Sequence, residues 1–272
     1  MISVSRLSIA PVRSLGLSHP ASVELGERGV LEDRRFFVTD LDNRLVDQLI
    51  AGRLVQVHAA TDPDGRRLSL ALPDGRVIDG EVELGEAIET PIHGRTGVGH
   101  VVQGPWAEAL EPYAEAPVRI VRCDWPGGTR RGNHVSLVSL GSVRRLGRAL
   151  GVTDLDPRRF RMLIEVDGAE PHEEDRWVGW QVAIGSAVLG ITKPDKRCAM
   201  TTHDPDSGRR DIDTLRGIIS YRGLTEDRKA LFGVLGEVAV PGRIAVGDEV
   251  RLLAEPVDEA LVLAAAAAPA SL

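Results

Sequence analysis

The most informative segment of the chain reads Lys193-Pro194-Asp195-Lys196-Arg197-Cys198-Ala199-Met200-Thr201-Thr202-His203-Asp204-Pro205-Asp206-Ser207-Gly208. It contains one of only two cysteines, with cations before the thiol and with two hydroxyls and a carboxylate after it. Neighbouring cations favour the thiolate, which acts either as a nucleophile or as a ligand for a soft metal. A free cysteine is also often a small buried apolar residue, so both interpretations of Cys198 remain open at this point.

The end of this segment predicts a tight turn. Proline presets φ, Gly208 permits a positive φ, and Asp and Ser side chains bond to their own backbone. His203 follows Cys198 closely enough to make a Cys/His nucleophile pair conceivable, but no residue nearby is evident that would orient the imidazole. Cys198 is therefore the main candidate for chemistry in this segment.

The composition of the whole chain indicates a soluble globular protein. The chain has 272 residues, of which 43% are hydrophobic and 27% charged, enough for one large core or two small ones. A net charge of −7 argues against a general nucleic-acid or anionic-membrane binder. Two cysteines, the absence of a signal-peptide pattern and the lack of a bilayer-length apolar run lead us to expect a cytoplasmic protein without a membrane or nucleic-acid partner.

The first part of the chain has the pattern of short strands joined by turns. Apolar and polar residues alternate, and Asp-Pro-Asp-Gly at 62–65 and Pro-Asp-Gly at 73–75 are turn sequences. Such regular spacing favours a small β-barrel or sandwich. The predicted strands cover residues 2–12, 20–27, 54–60, 68–72 and 77–84, with a further apolar strand after a Gly turn within residues 29–40.

The second part mixes helices with strands. Helical spacing predicts helices from about residue 105 to 113, at 139–150 with Ser139 as N-cap, and at 213–221. A composition shift at 112–117 is the best candidate boundary between two lobes. The chain is therefore predicted to be a β-rich α+β protein of two lobes. Further strands are predicted at 118–123, 159–166, 177–191, 235–240 and 244–252.

Basic residues stand at several predicted strand ends in this otherwise acidic chain. Arg13, Arg34 and Arg161 could converge on one anionic ligand, because the planar guanidinium matches phosphate with two hydrogen bonds. Each of them taken alone is more often a solvated surface charge. No glycine-rich dinucleotide motif, Walker A sequence, His-Glu-x-x-His or Cys-x-x-Cys is present.

Several segments of the sequence together resemble a known family. The run from Arg197 to Gly208, followed by Ser220-Tyr221-Arg222 and Phe232-Gly233, resembles the core of MOSC domains. More specifically, it is similar to the mitochondrial amidoxime-reducing components and their bacterial relatives. The resemblance extends in the family's order over residues 2–254. It also includes Ala10-Pro11-Val12-Arg13-Ser14, Glu32-Asp33-Arg34-Arg35-Phe36-Phe37-Val38 and Phe160-Arg161.

The resemblance implies an N-terminal MOSC β-barrel-like domain at 1–115, a C-terminal MOSC β-barrel with peripheral helices at 116–254, and an Ala-rich tail at 255–272. It implies a molybdenum cofactor, a pterin dithiolene with a phosphate, in the cleft between the lobes. Cys198 would be the protein ligand to the metal. The residues implied to bind the cofactor are Arg13, Ser14, Arg34, Asn133, Arg161, Thr201 and Thr202.

The implied activity is the two-electron reduction of N-oxygenated, in particular N-hydroxylated, small molecules. No cysteines remain to hold an iron–sulfur cluster, so we expect the electrons to come from a separate donor protein or small reductant. Asp204 is a candidate proton donor for this reaction. Its alternative role is to form the turn.

Two departures from the family's pattern bear on this site. Asp195 stands where the family often has a second cysteine, and Leu163 stands where it has Asn. Two other functions therefore stay open. In the first, a persulfide on Cys198 would make the protein a sulfur carrier or a cofactor-delivery protein. In the second, the protein would be a binding module with a weakened cofactor site.

Overall fold

The computed structural model describes residues 1–125 and 133–256. Three α-helices and four 3-10 helices accompany the strands. The α-helices are α1 (Trp106–Ala114), α2 (Leu140–Leu150) and α3 (Thr214–Arg222). The 3-10 helices span Gly52–Gln56, Pro157–Phe160, Glu173–Trp177 and Ala199–Thr202. In chain order, the strands are β1 (Ser3–Leu7), β2 (Ser22–Gly26), β3 (Gly29–Val30), β4 (Phe36–Thr39), β5 (His58–Thr61), β6 (Arg67–Ala71), β7 (Val77–Glu81), β8 (Glu83–Ile92), β9 (Arg95–Gln103), β10 (Arg119–Cys123), β11 (Val135–Ser139), β12 (Ile164–Asp167), β13 (Trp180–Ile184), β14 (Ala187–Arg197), β15 (Ala230–Val240), β16 (Gly242–Ala245) and β17 (Val250–Pro256).

Seven strands form a nearly closed barrel, in the order β1-β12-β11-β15-β14-β13-β17. The two edge strands approach each other through a bridge between Ser3 and Glu249 and a hydrogen bond of 2.9 Å from the Val250 amide to the Ile2 carbonyl. Apolar side chains from every strand of this sheet, such as Leu137 and Leu189, are buried in its core. The predicted β-rich α+β fold with a C-terminal barrel and peripheral helices is confirmed.

The N-terminal lobe is built from two smaller antiparallel sheets, β4-β10-β9-β8 and β5-β6-β7. They enclose a second apolar core, which α1 closes on one side with Leu110 and Trp106. The Trp106 indole donates hydrogen bonds to the carbonyls of Leu68 (3.1 Å) and Ile78 (3.2 Å), which satisfies its one polar atom inside the core.

The chain crosses between the lobes more than once. Strand β1 pairs with β12 of the barrel and β2 pairs with β16, although both lie near the N-terminus. Strand β10 follows the predicted boundary at 112–117, yet it pairs with β4 and β9 of the N-terminal lobe. The lobes therefore share strands, and the division at residue 115 stays a prediction. From residue 257 onward the predicted Ala-rich tail lies outside the described residues.

Several predicted strands were wrong in part, and two of them begin as 3-10 helices over several residues. Residues 54–60 begin as the 3-10 helix Gly52–Gln56, and only His58 onward is extended. Residues 159–166 likewise begin in the 3-10 helix Pro157–Phe160. The Asp156 side chain accepts a hydrogen bond of 2.8 Å from the Arg158 amide, and Pro157 occupies the first helical position. Local capping thus prevails over the apolar pattern of 159–166.

Three predicted helices are confirmed, and α2 begins as expected. The Ser139 side chain accepts a hydrogen bond of 3.0 Å from the Ser142 amide, the geometry of an N-cap. Within the described residues, no helix has both the length and the apolar character needed to cross a membrane.

The sequence pattern did not predict two features that shape the site. The first is the long hairpin of β8 and β9, whose glycines at 97 and 99 interrupt the apolar alternation. The second is the length of β14, which continues to Arg197. Its pairing with β15 shifts register on both sides of Pro194, because proline has no amide hydrogen for the ladder.

A backbone contact between two glycines joins the lobes. Gly52 starts the first 3-10 helix, and Gly208 ends the turn that follows Cys198. A side-chain carbon on Gly52 would overlap the carbonyl oxygen of Gly208, and one on Gly208 would overlap that of Gly52. Only glycine permits this approach.

Replacing Gly52 with Ala should therefore lower the free energy of unfolding by about 1–3 kcal/mol, because the two backbones would have to separate. Urea denaturation measures this change. Gly26→Ala is the matched control, since a side-chain carbon there would meet no atom closer than 3.8 Å. Equal stability of the two variants would contradict the contact.

Candidate functional site

A cavity of about 490 Å³ lies between the two lobes. It is bordered by segments that are far apart in sequence, from the loop after β1 to strand β15. Most of the residues predicted to form the site meet on its wall. They are Arg13, Ser14, Arg34, Asn133, Arg161, Thr201 and Cys198.

Cys198 occupies the end of a barrel strand. Strand β14 stops at Arg197, and the 3-10 helix Ala199–Thr202 begins directly after the cysteine. The Cys198 carbonyl accepts hydrogen bonds from the amide (3.3 Å) and hydroxyl (3.2 Å) of Thr201. The same hydroxyl lies 2.7 Å from that of Thr214 at the start of α3. The backbone of Cys198 is thus tied to its neighbours, while the residue itself is exposed.

The cations beside Cys198 already have carboxylate partners. Arg197 pairs with Asp195, donates to the Phe160 carbonyl and lies over the Phe160 ring at 5.3 Å. The ammonium of Lys196 lies 2.7 Å from the Asp227 carboxylate at the surface. The Arg197 contacts hold the end of β14 against the segment containing Phe160, and Lys196 connects it to Asp227, so the two cations have a structural role in addition to their charge.

Two other arginines on the cavity wall, Arg13 and Arg161, are partly buried and have no carboxylate partner in the described part of the chain. Burial lowers the pKa of Arg161 to about 9, and the nearby charge of Arg34 acts in the same direction. Burial also lowers the pKa of Arg13 to about 10. The positive charge of Arg34 lowers this pKa further, and the negative charge of Asp47 raises it. Arg161 donates a hydrogen bond of 2.6 Å to the Leu15 carbonyl. A buried, unmatched positive charge is costly, which indicates an anionic ligand.

Arg34 lies between the loop after β1 and the segment that carries Arg161. It forms a buried ion pair with Asp33, whose other oxygen accepts a hydrogen bond of 2.8 Å from the Ala10 amide. The other terminal nitrogen of Arg34, Nη2, lies 3.4 Å from the Arg161 carbonyl oxygen. Arg34 therefore links the turn before β4 to the segment that carries Arg161.

Several buried polar atoms on the cavity wall lack a hydrogen-bond partner within residues 1–125 and 133–256. Buried polar groups are nearly always satisfied, so a cluster of exceptions on one wall favours a bound polar ligand. The atoms are Arg13 Nε, Ser14 Oγ, Asn133 Oδ1, Arg159 Nε and Arg197 Nε.

Unusual backbone conformations concentrate at the same cavity. Eight described non-glycine residues have positive φ, and four of them lie on the cavity wall. These are Ser14 (73°), Arg34 (54°), His93 (45°) and Arg161 (51°). Each costs about 1–2 kcal/mol relative to ordinary backbone, and such strain tends to persist at functional sites.

Two predicted site residues, Thr202 and Asp204, do not line the cavity. The buried Thr202 hydroxyl donates to the Ala199 carbonyl at 2.7 Å. One oxygen of Asp204 accepts bonds of 2.7 Å from both the amide and the hydroxyl of Ser207. Burial alone would raise the pKa of Asp204, but hydrogen bonds from Ser207 and Asp206 outweigh it and lower the pKa. An ionised, turn-bound carboxylate favours the turn-forming role over the proton donor.

Sequence reasoning missed several residues on the wall. Leu49, His93 and Arg95 come from the N-terminal lobe, and only the turn dipeptide His93-Gly94 could have pointed to a hairpin tip there. Arg159 comes from the 3-10 helix Pro157–Phe160 and forms two hydrogen bonds with Asp211 (2.7 and 2.6 Å). The misassigned strand at 159–166 concealed this contact.

Comparison with known proteins finds a family match in the C-terminal part of the chain. Residues 126–251 match the MOSC domain. The chain is 26% identical to human mitochondrial amidoxime-reducing component 1 over 286 aligned residues, which cover 93% of this chain and 83% of that protein. It is 35% identical to human mitochondrial amidoxime reducing component 2 over 101 residues, covering 34% of this chain and 29% of that protein. The YUAD protein from Bacillus subtilis aligns with a TM-score of 0.46 at 12% identity, covering 93% of this chain and 96% of that one.

Pyrophosphate should raise the melting temperature of the cofactor-free protein, because an anion that binds only the folded state stabilises it. Arg161→Met should abolish that increase. Thermal unfolding with and without pyrophosphate measures both effects.

Arg158→Met is the matched control, because Arg158 pairs with Asp156 and Asp206 outside the cavity. It should keep the full response to pyrophosphate. A similar response in Arg161→Met would show that Arg161 does not hold an anion.

Proposed function

We propose, from the premise that this chain carries a MOSC domain, that it binds a molybdenum cofactor in the cavity between its lobes and reduces N-hydroxylated small molecules. One observation carries the proposal. The cavity joins the exposed Cys198 to the partly buried Arg13 and Arg161, which have no carboxylate partner in the described residues.

The residues present fit such a cofactor. Molybdenum is a metal that a soft thiolate can bind, which suits Cys198 as its protein ligand. The phosphate of a pterin cofactor suits Arg13, Arg34 and Arg161, because charge-assisted bonds would satisfy the buried guanidiniums. The unsatisfied Ser14 hydroxyl and Asn133 side-chain oxygen offer further hydrogen bonds, and Thr201 lines the same wall. Thr202 would act indirectly, through its bond to the turn after Cys198.

The two departures from the family's pattern leave the cavity in place. Leu163 is buried in the barrel core, where only its backbone is hydrogen-bonded, to the Ser136 hydroxyl (2.9 Å) and the Ser8 amide (2.9 Å). Asp195 lines the cavity and pairs with Arg197. The position three residues before the thiol thus carries a structural ion pair.

When bound, the cofactor supplies a centre that takes up oxygen from the substrate and is reset by two electrons. The chain's residues would orient that centre and limit the access of water. Cys198 would hold it on one side, and Phe160, Met162 and Leu235 form an apolar part of the wall. The named activity of the relatives, amidoxime reduction, supports N-hydroxylated substrates, since an amidoxime carries an N-hydroxyl group.

The proposal also covers the lobe boundaries, the source of the electrons and the cellular location. We assign the N-terminal lobe to residues 1–115 and the MOSC lobe to residues 116–254. The electrons come from a separate donor protein or a small reductant. The protein works in the cytoplasm, in line with two cysteines that are both free.

A sulfur carrier remains the competing function, because an exposed thiol can also bear a persulfide. In that case Cys198 would carry an additional sulfur atom and the cavity would hold no metal. The arginine residues on the wall would then be unrelated to the role of the thiol.

Cys198→Ala should remove molybdenum from protein made in cells that synthesise the cofactor, whereas the wild-type protein should retain about one metal per chain. Elemental mass spectrometry measures the metal, and benzamidoxime with a chemical reductant tests turnover. Cys123→Ala is the matched control. That thiol is fully buried outside the cavity, and burial raises its pKa to about 12.

The control should keep both metal and activity. Metal-free wild-type protein with a mass increase of one sulfur on Cys198 would overturn the reductase proposal in favour of the sulfur carrier.

A further inference from the structure

The tip of the β8–β9 hairpin extends into the wall of the cavity. It consists of His93 and Gly94, both with positive φ (45° and 80°), which is the geometry of a two-residue type I′ turn. Asn, Asp or Gly is the usual first residue of such a turn, because a larger side chain strains the backbone there. Histidine is one of the few larger residues that adopt a positive φ with some frequency, and this turn places His93 on the cavity wall.

A buried carboxylate faces the imidazole. His93 Nε2 lies 3.4 Å from Oδ2 of Asp47, whose side chain is only 6% exposed. The other oxygen of Asp47 accepts a hydrogen bond of 2.9 Å from the Leu49 amide, so the carboxylate is held in one orientation. His93 Nδ1 has no hydrogen-bond partner among the described residues. With Nε2 beside the Asp47 carboxylate, Nδ1 is the nitrogen that remains available to donate a proton.

The cavity has few other groups that could donate a proton. His93 is the one imidazole among its described lining residues, and Asp195 is the one carboxylate. Asp195 is paired with Arg197, and Asp204 lies outside the wall. His93 is half exposed, so it can be reprotonated from solvent.

We propose that His93, oriented by Asp47, contacts the substrate's N-hydroxyl group and protonates the departing oxygen. The inference rests on the proposed function. The reaction is R–NH–OH + 2 e⁻ + 2 H⁺ → R–NH₂ + H₂O, in which the N–O bond breaks. The two electrons come from the donor protein or a chemical reductant. One proton comes from His93, which recovers it from solvent, and the other comes from water. Asp47 is a positioning residue.

His93→Gly tests the inference, because glycine tolerates the positive φ and leaves room for a small base. With benzamidoxime and a chemical reductant, kcat should fall about a hundredfold while the molybdenum content stays at the wild-type level. Added imidazole should restore a large part of the rate. Asp47→Asn should lower kcat less, and combining it with His93→Gly should add little further loss, since the two residues act as one unit.

His100→Gln is the matched control. His100 lies on the same hairpin and makes a similar contact with Asp124 at 2.9 Å, but it does not line the cavity. Its kcat should stay within about twofold of wild type, as for a residue outside the reacting site. An unchanged kcat in His93→Gly, or a loss that imidazole does not repair, would overturn the role of His93 as proton donor.

A second readout separates this inference from the proposed function. In protein labelled with ¹⁵N-histidine, benzamidoxime should shift the His93 side-chain signal and leave that of His100 in place. Active wild-type protein with an unshifted His93 signal would refute the substrate contact alone. Wild-type protein without molybdenum would refute the proposed function, and the spectrum would still decide whether His93 contacts an amidoxime.

Discussion

The pairing of β14 with β15 is the constraint on which the rest of the site depends. Strand β14 stays in the barrel sheet as far as Arg197, and the ladder passes Pro194 by shifting register. Cys198 therefore emerges at a defined point on the barrel, facing the N-terminal lobe. Arg197 fixes this end of the strand through Asp195 and Phe160, so the position of the thiol is set by backbone pairing and by one buried cation.

Several energetically unfavourable features lie on the cavity wall near Cys198. The cavity wall combines unmatched guanidiniums, unsatisfied polar atoms and backbone in the left-handed region. Each is unfavourable in isolation, and the two apolar cores supply the stability that offsets them. A single anionic group bound between the lobes would explain why these features occur together. It would pair with the arginines and accept hydrogen bonds from the unsatisfied donors.

Some residues of the site could be predicted from the sequence, and others could not. Arg13, Ser14, Arg34 and Arg161 could be assigned to one site by their resemblance to a family, and the structure places them on one wall. Asp204 was a candidate proton donor by its proximity to Cys198 in sequence, but its carboxylate closes the turn. His93 lies far from every recognised motif, and only the hairpin brings it to the cavity.

The sequence by itself determined the β-rich composition, the turns, the helices with their caps and the candidate thiol, because these depend on residues close together in the chain. Tertiary structure alone decided that β1 joins the C-terminal barrel, that β2 pairs with β16, and that residues from both lobes share one cavity. Strand pairing and burial depend on contacts between distant segments. A local pattern shows that a strand can form, but the partners available in the folded chain determine where it lies.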